Sequence, residues 1–155
     1  MAYVEKSIEI NKPVSTVYNQ WTQFEQFPRF MEGVEMVKQL DDARLLWRAK
    51  IAGKVEQWEA EIVEQRPDER IRWTSPRGAM NAGLVTFDKL PGDRCRLTLR
   101  MEYDPKGFIE KAGDMLGFVT RRVEGDLERF RDFIEERGVA TGEWRGEIDP
   151  HPPHA

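Results

Sequence analysis

The chain holds a single cysteine, Cys95, in 155 residues. One thiol cannot close an internal disulfide and cannot furnish a cysteine-based metal cluster. Cys95 reads instead as a small buried strand residue. Histidine is almost as scarce. His151 and His154 both fall in a Pro-flanked terminal stretch, which makes weak grounds for a metal site, and none is expected. A basic excess is missing too: 24 Lys and Arg stand against 28 Asp and Glu, for a net charge of −4 with the signs interleaved. That balance argues against a nucleic-acid partner held by phosphate neutralisation. No apolar run approaches a membrane span, and the alternating, charged "MAYVEKSIEI" lacks the apolar core of a signal peptide. The expectation is a soluble cytoplasmic protein. Nor is there a phosphate-cradling glycine loop, a Ser/His/Asp set or a Cys/His pair, and no cofactor is implied.

What is present is an ordinary globular composition with five tryptophans, in a length that suits one domain with its own core. "YVEKSIEI" (3–10) alternates with period two and predicts a first strand. "NKPVSTVYNQWTQF" then starts a helix, with Asn11 as its expected cap and Pro13 near the first turn. Val14, Val17, Tyr18 and Trp21 give that helix one apolar face. Pro28 breaks the pattern, so "EQFPRFM" is read as a short second helix or a turn. From Gly33 to Tyr103 the period is two, with strands predicted near 34–40, 43–52, 55–65, 69–75, 79–90 and 94–104. "LDDA", "AGK", "RPDE", "SPRG" and "LPGD" punctuate them as short turns. Strands joined so tightly must be antiparallel neighbours, which makes a meander. Ile109, Leu116, Val119, Val123, Leu127, Phe130 and Ile134 then recur at three- and four-residue steps. They predict one long amphipathic helix over 104–138, capped by Asp104 and stopped at Gly138. The domain is expected to span 1–138, with 139–155 a tail pinned by Trp144.

Alternation assigns the faces of the sheet. Leu45, Trp47, Ala49 and Ile51 share one face, as do Trp58, Ala60 and Ile62, then Ile71, Trp73 and Ser75. Val85 and Phe87 follow, and then Cys95, Leu97, Leu99, Met101 and Tyr103. The opposite face is charged and solvated. One long helix must cover the dry face, and a curved seven-stranded sheet is larger than one helix fills. The helix's C-terminal half is bulky (Leu127, Phe130, Phe133, Ile134), whereas Ala112, Gly113 and Gly117 thin its N-terminal half. Each interior glycine costs about 1 kcal/mol relative to alanine. Two accounts of that cost stay open: close approach of a neighbouring element, or room for a guest. The mismatch between sheet and helix favours a cavity.

The order is strand, two short helices, six antiparallel strands and a long C-terminal helix. With "NKPVSTVYNQWTQFEQFPRFMEGVEMVKQLDD", it resembles the START-like (SRPBCC, Bet v 1-like) superfamily. Within that superfamily the chain is similar to the polyketide cyclase/dehydrase and lipid-transport group, which includes coenzyme Q-binding proteins. The matching residues are Pro13, Val14, Val17 and Tyr18 at the helix start, and the Phe27–Pro28 pair before the second strand. "WEAEIVEQRPDERIRW" and the terminal "VEGDLERFRDFIEER" also match, so the resemblance covers residues 2–138. It implies an α+β helix-grip fold, a curved antiparallel sheet wrapped around a long C-terminal helix. It also implies an apolar tunnel between the two, opening near the helix's N-terminal half. The expected ligand-binding residues are Trp47, Trp58, Ile62, Trp73, Ser75, Asn81, Val85, Leu99, Met101, Tyr103, Ala112, Leu116 and Gly117.

The superfamily hosts carriers and enzymes on one scaffold. Cyclisation of a poly-β-keto chain needs one group to polarise a carbonyl and another to move a proton. The inward positions offer Tyr103, Ser75, Asn81 and the indole N–H groups, with no clear Asp, Glu, His, Lys or Arg. Arg77 sits in a loop that could overhang the mouth, although a solvated loop charge is the favoured reading. Binding or transport of an apolar small molecule (a lipid, isoprenoid quinone or polyketide-like compound) therefore ranks first. Cyclase/dehydratase activity ranks second, with Tyr103 and Ser75 as its catalytic candidates. A third reading concerns "KGFIEKAGDMLGFVTRRV", where Phe108, Met115 and Phe118 lie among Lys106, Lys111, Arg121 and Arg122. That end of the helix is a candidate for peripheral contact with a membrane or a protein.

Overall fold

The structure, a computed structural model, describes residues 2–51, 53–75, 82–103 and 115–150. Strand β1 (Ala2–Ile10) leads into α1 (Val14–Trp21) and a 3₁₀ helix (Phe24–Arg29). Strands β2 (Val34–Gln39), β3 (Arg44–Ile51), β4 (Lys54–Arg66), β5 (Arg70–Thr74), β6 (Ala82–Leu90) and β7 (Arg94–Tyr103) follow, and then α2 (Met115–Arg137). The seven strands form one antiparallel sheet in the order β1-β7-β6-β5-β4-β3-β2. Every pairing but one joins consecutive strands. The exception is β1 on β7, in register from Ala2 opposite Tyr103 to Ile10 opposite Cys95. The sheet curls over α2 as a half-barrel, which is the helix-grip arrangement that the resemblance implies.

One detail differs from the sequence reading. Asn11 does not cap α1: the cap position is Pro13, with no side-chain hydrogen bond. The backbone N–H of Asn11 instead donates to Glu135 Oε2 of α2 at 2.8 Å. Pro13 has no N–H to satisfy, which suits it to that place. Pro28 sits inside the 3₁₀ helix, within the stretch read as a short second helix or a turn. Gly138 does stop α2, with φ of +83° and its N–H donating to Ile134 O at 2.9 Å. That left-handed turn is the usual glycine C-terminal stop. The expected first part of the helix, including the Asp104 cap, Phe108, Ile109, Ala112 and Gly113, lies outside the described residues, as do Arg77, Asn81, His151 and His154.

A bulge shifts the register of β4 on β5 between Ile62 and Glu64. It carries Gln65 inward, where it is 1% exposed. Glu64 faces outward, with Arg66, Arg70 and Arg72 all within 4 Å of its carboxylate. The segment after α2, as far as residue 150, is docked as a strap, held by Thr141, Arg145 and Ile148. Gln20 accepts from the Thr141 N–H at 2.8 Å and donates to the Thr141 hydroxyl at 3.0 Å. Arg145 pairs with Asp68 at 2.8 Å and donates to Asn19 at 2.6 Å. Ile148 bridges Gln65 through two backbone hydrogen bonds of 2.8 and 2.9 Å. Trp144 lies against Gly146, where a Cβ would crowd its ring.

The two short helices and the C-terminal half of α2 build an aromatic plug. Trp21 packs on Phe27 and Phe130 at 5.2 and 5.1 Å between ring centroids, and Phe30 packs on Phe130 at 5.0 Å. Most of these contacts are edge-to-face, as aromatic quadrupoles prefer. Val119, Val123, Leu127, Phe130 and Ile134 of α2 are all buried. The plug closes one end of the trough between sheet and helix.

Candidate functional site

Beyond the plug, the trough is not filled. A cavity of about 110 Å³ remains between α2, the 3₁₀ segment and strands β2 to β5 and β7. Six of the expected wall residues meet there: Trp47, Trp58, Ile62, Trp73, Leu99 and Met101. Trp47 and Trp58 face each other across β3 and β4, and their rings stack in parallel at 6.0 Å and 5°. Phe27 abuts Trp47 at 5.6 Å, joining the wall to the plug. Trp73 is seated by Gly83 opposite it on β6, since a Cβ on Gly83 would overlap the indole ring. The indole N–H of Trp47 is buried with no hydrogen-bond partner among the described residues.

Other expected residues fall elsewhere. Val85 is fully buried in the closed core and does not line the cavity. Ser75 is also fully buried, and its hydroxyl donates to Glu59 O at 2.6 Å, so it is committed to backbone rather than to a guest. Gly117 is half-buried in the first turns of α2, outside the wall. The side chains of Tyr103, Leu116 and Met115, like residues Asn81 and Ala112, lie outside what the structure describes. Phe118 is half-buried against the core, with the Arg122 guanidinium 5.0 Å from its ring centroid.

The sequence reading found no charged residue facing inward, and that is corrected here. Glu32, Arg122 and Asp126 all border the cavity. Arg122 and Asp126 sit three residues after Val119 and Val123, on the edge of the apolar stripe of α2, and that spacing was the available signal. Asp126 Oδ1 accepts from Arg129 at 2.6 Å and from the Glu32 backbone N–H at 3.0 Å. Its side chain is only 12% exposed. Burial pushes the Asp126 carboxyl up to about 6, outweighing the opposing pull of Arg129, the Glu32 N–H and Arg122. Arg122 Nη1 donates to Glu32 O at 2.6 Å and lies over Gly33, where a Cβ would overlap the guanidinium. Gly33 is also held at φ of +85°, a left-handed conformation that favours glycine. Arg129 completes the clamp by donating to Phe30 O at 2.9 Å.

Chemically the site is an apolar hollow with a charged edge. Its volume is comparable to an engineered apolar cavity of roughly 150 Å³ that admits benzene. It is of a size to fit one aromatic ring or a short alkyl segment. Among the described residues no cluster of His, Cys, Asp and Glu is arranged to hold a metal ion, and no helix is long and apolar enough to cross a membrane. The lone Cys95 is buried, and burial pushes its thiol up to about 12, far from a reactive thiolate.

The comparisons with known proteins agree with this architecture. A family model described as polyketide cyclase/dehydrase and lipid transport matches residues 10–131. An uncharacterised 17.2 kDa protein from the melC2–rnhH intergenic region of Streptomyces lincolnensis is 52% identical over 149 residues, covering 96% of this chain and 99% of that one. The aromatase/cyclase Zhui from Streptomyces sp. R1128 superposes with a TM-score of 0.70 at 18% identity, over 92% of this chain and 99% of that one. A START superfamily protein from Mycobacterium smegmatis superposes with a TM-score of 0.66 at 16% identity, over 87% and 95%. At such identities the two solved structures speak for the fold alone.

Proposed function

Because the chain belongs to the polyketide cyclase/dehydrase and lipid transport family, we propose that it binds an apolar small molecule, or the apolar end of a larger one, between sheet and helix. The observation that carries this reading is the unfilled hollow walled by Trp47, Trp58 and Trp73. Packed interiors seldom keep voids of this size, and indoles offer a guest large rigid surfaces at little entropic cost. Binding of this kind needs only the wall and a few orienting polar groups. The test is uptake of N-phenyl-1-naphthylamine, a neutral fluorescent probe. Ala49 lines the cavity and is nearly fully buried, so Ala49→Phe fills the hollow and should abolish uptake while the protein stays folded. Undiminished uptake by that variant would move the site elsewhere.

A second reading, catalysis of a cyclase/dehydratase type, draws on Asp126. A carboxyl titrating near 6 at the edge of an apolar hollow is suited to exchanging a proton with a substrate near neutral pH. Arg122, one helical turn away, supplies a charge able to polarise a carbonyl. If this is so, Asp126→Asn will stop conversion of a poly-β-keto mimic while leaving its binding intact. Equal conversion by the variant rules Asp126 out.

A further inference from the structure

The charges at the cavity's edge do not cancel residue by residue. Asp126 is occupied by Arg129 and by the Glu32 N–H. The Glu32 carboxylate lies 3.7 Å from the same Arg129. Arg122 is left with one backbone carbonyl, Glu32 O, and a ring, Phe118. No carboxylate among the described residues comes within ion-pair distance of it. An arginine has five N–H donors, and among the described residues the one acceptor for those of Arg122 is Glu32 O. Arg122 is half-buried and borders the hollow.

A half-buried cation with no ion-pair partner among the described residues, next to an apolar ring-sized space, describes the complement of an amphipathic acid. We propose that the ligand carries a carboxylate which Arg122 holds at the edge of the hollow while its apolar ring or chain lies between Trp47, Trp58 and Trp73. This deepens the binding reading above and rests on it. The guanidinium fork matches a carboxylate through two parallel N–H···O bonds. The Trp47 indole N–H, buried without an acceptor among the described residues, is a second donor in the wall, and donors call for an oxygen-bearing guest. A cationic ligand fits poorly. It would bring its charge beside Arg122 and Arg129, and both nearby carboxylates already have Arg129.

Three probes of one shape separate the possibilities: 4-phenylbutyrate, its neutral amide, and 4-phenylbutylamine. Binding is followed by tryptophan fluorescence and calorimetry at pH 7.5. The acid should bind tightest and the amine weakest. Arg122→Gln should weaken the acid by about tenfold or more, the usual worth of a charge-assisted hydrogen bond, and leave the amide unchanged. Arg122→Lys, which keeps the charge but loses the fork, should recover part of that loss. Circular dichroism confirms that each variant is folded. Equal affinity for acid and amide in the native protein, or equal weakening of both by Arg122→Gln, overturns the carboxylate assignment and leaves the pocket reading standing. If none of the three probes binds, both fall together.

Discussion

The indoles of Trp47 and Trp58 lie parallel, 6.0 Å apart, on adjacent strands. Neither ring is fully buried, so the stack forms a wall with one free side rather than the centre of a packed core. An aromatic pair of this kind contributes about 0.5–1.5 kcal/mol beyond the area it buries. Trp58→Ala should therefore lower stability by about 1–2 kcal/mol in urea unfolding and weaken apolar-probe binding at least several-fold. Trp58→Phe should keep most of both. Full binding by the alanine variant would place the guest away from this wall.

The Asp126 carboxyl titrates at about 6 in the folded protein against an ordinary 3.8. Between those values the native state holds a proton that the unfolded chain has released. Stability from this group is therefore fully present below 3.8 and is lost as pH rises through 6. Asp126→Asn keeps an acceptor for Arg129 and for the Glu32 N–H without a charge to desolvate. It should be more stable than the native protein at pH 7.5, by on the order of 1–3 kcal/mol, with the advantage disappearing near pH 4. Denaturant midpoints measured at both pH values give the sign directly, and a variant that is less stable at pH 7.5 would refute it.

Gly83 lies opposite Trp73 and meets its ring where a Cβ would stand. Gly83→Ala should cost about 1–3 kcal/mol, the usual range for overpacking. The displaced indole should also change the near-ultraviolet dichroism. An unchanged melting temperature and spectrum would mean that the ring moves aside freely.

The strap over residues 138–150 satisfies polar groups of Gln20 and Gln65, which are buried, and of Asp68, which is half-buried. Removing everything after Gly138 leaves the Gln20 amide without Thr141, the Gln65 backbone without Ile148 and Asp68 without Arg145. Each buried polar group stranded in this way costs about 1–3 kcal/mol. The truncated protein should melt several degrees lower, and Arg145→Ala should reproduce part of the fall. Equal melting temperatures would make the strap dispensable.

Most of the fold was legible because alternation and helical spacing are written residue by residue. The strands from β2 to β7 begin and end within three residues of where the period changes. The wall tryptophans were legible for the same reason: Trp47, Trp58 and Trp73 each sit in phase with aliphatic neighbours. What escaped depends on single events or on distant partners. The bulge after Ile62 exchanges the faces of Glu64 and Gln65, which strict alternation cannot foresee. Ser75 kept its inward phase, but Glu59 O takes its hydroxyl. Arg122 and Asp126 lie on the margin of the helix stripe, and only the Phe30–Gly33 turn packed beside them decides that they face the hollow. The strap has no period because its anchors are individual side chains on α1 and β4.

The pairing of β1 with β7 bears on how the chain comes off the ribosome. Strands β2 to β7 can zip as successive hairpins, each needing only its predecessor. The first strand made must wait until the seventh has emerged, about 90 residues later, and it closes the longest loop in the sheet at the greatest entropic cost. Until then its apolar side chains stay open to the solvent and to chaperones, so synthesis that stalls before Tyr103 strands the nascent protein in its most aggregation-prone form.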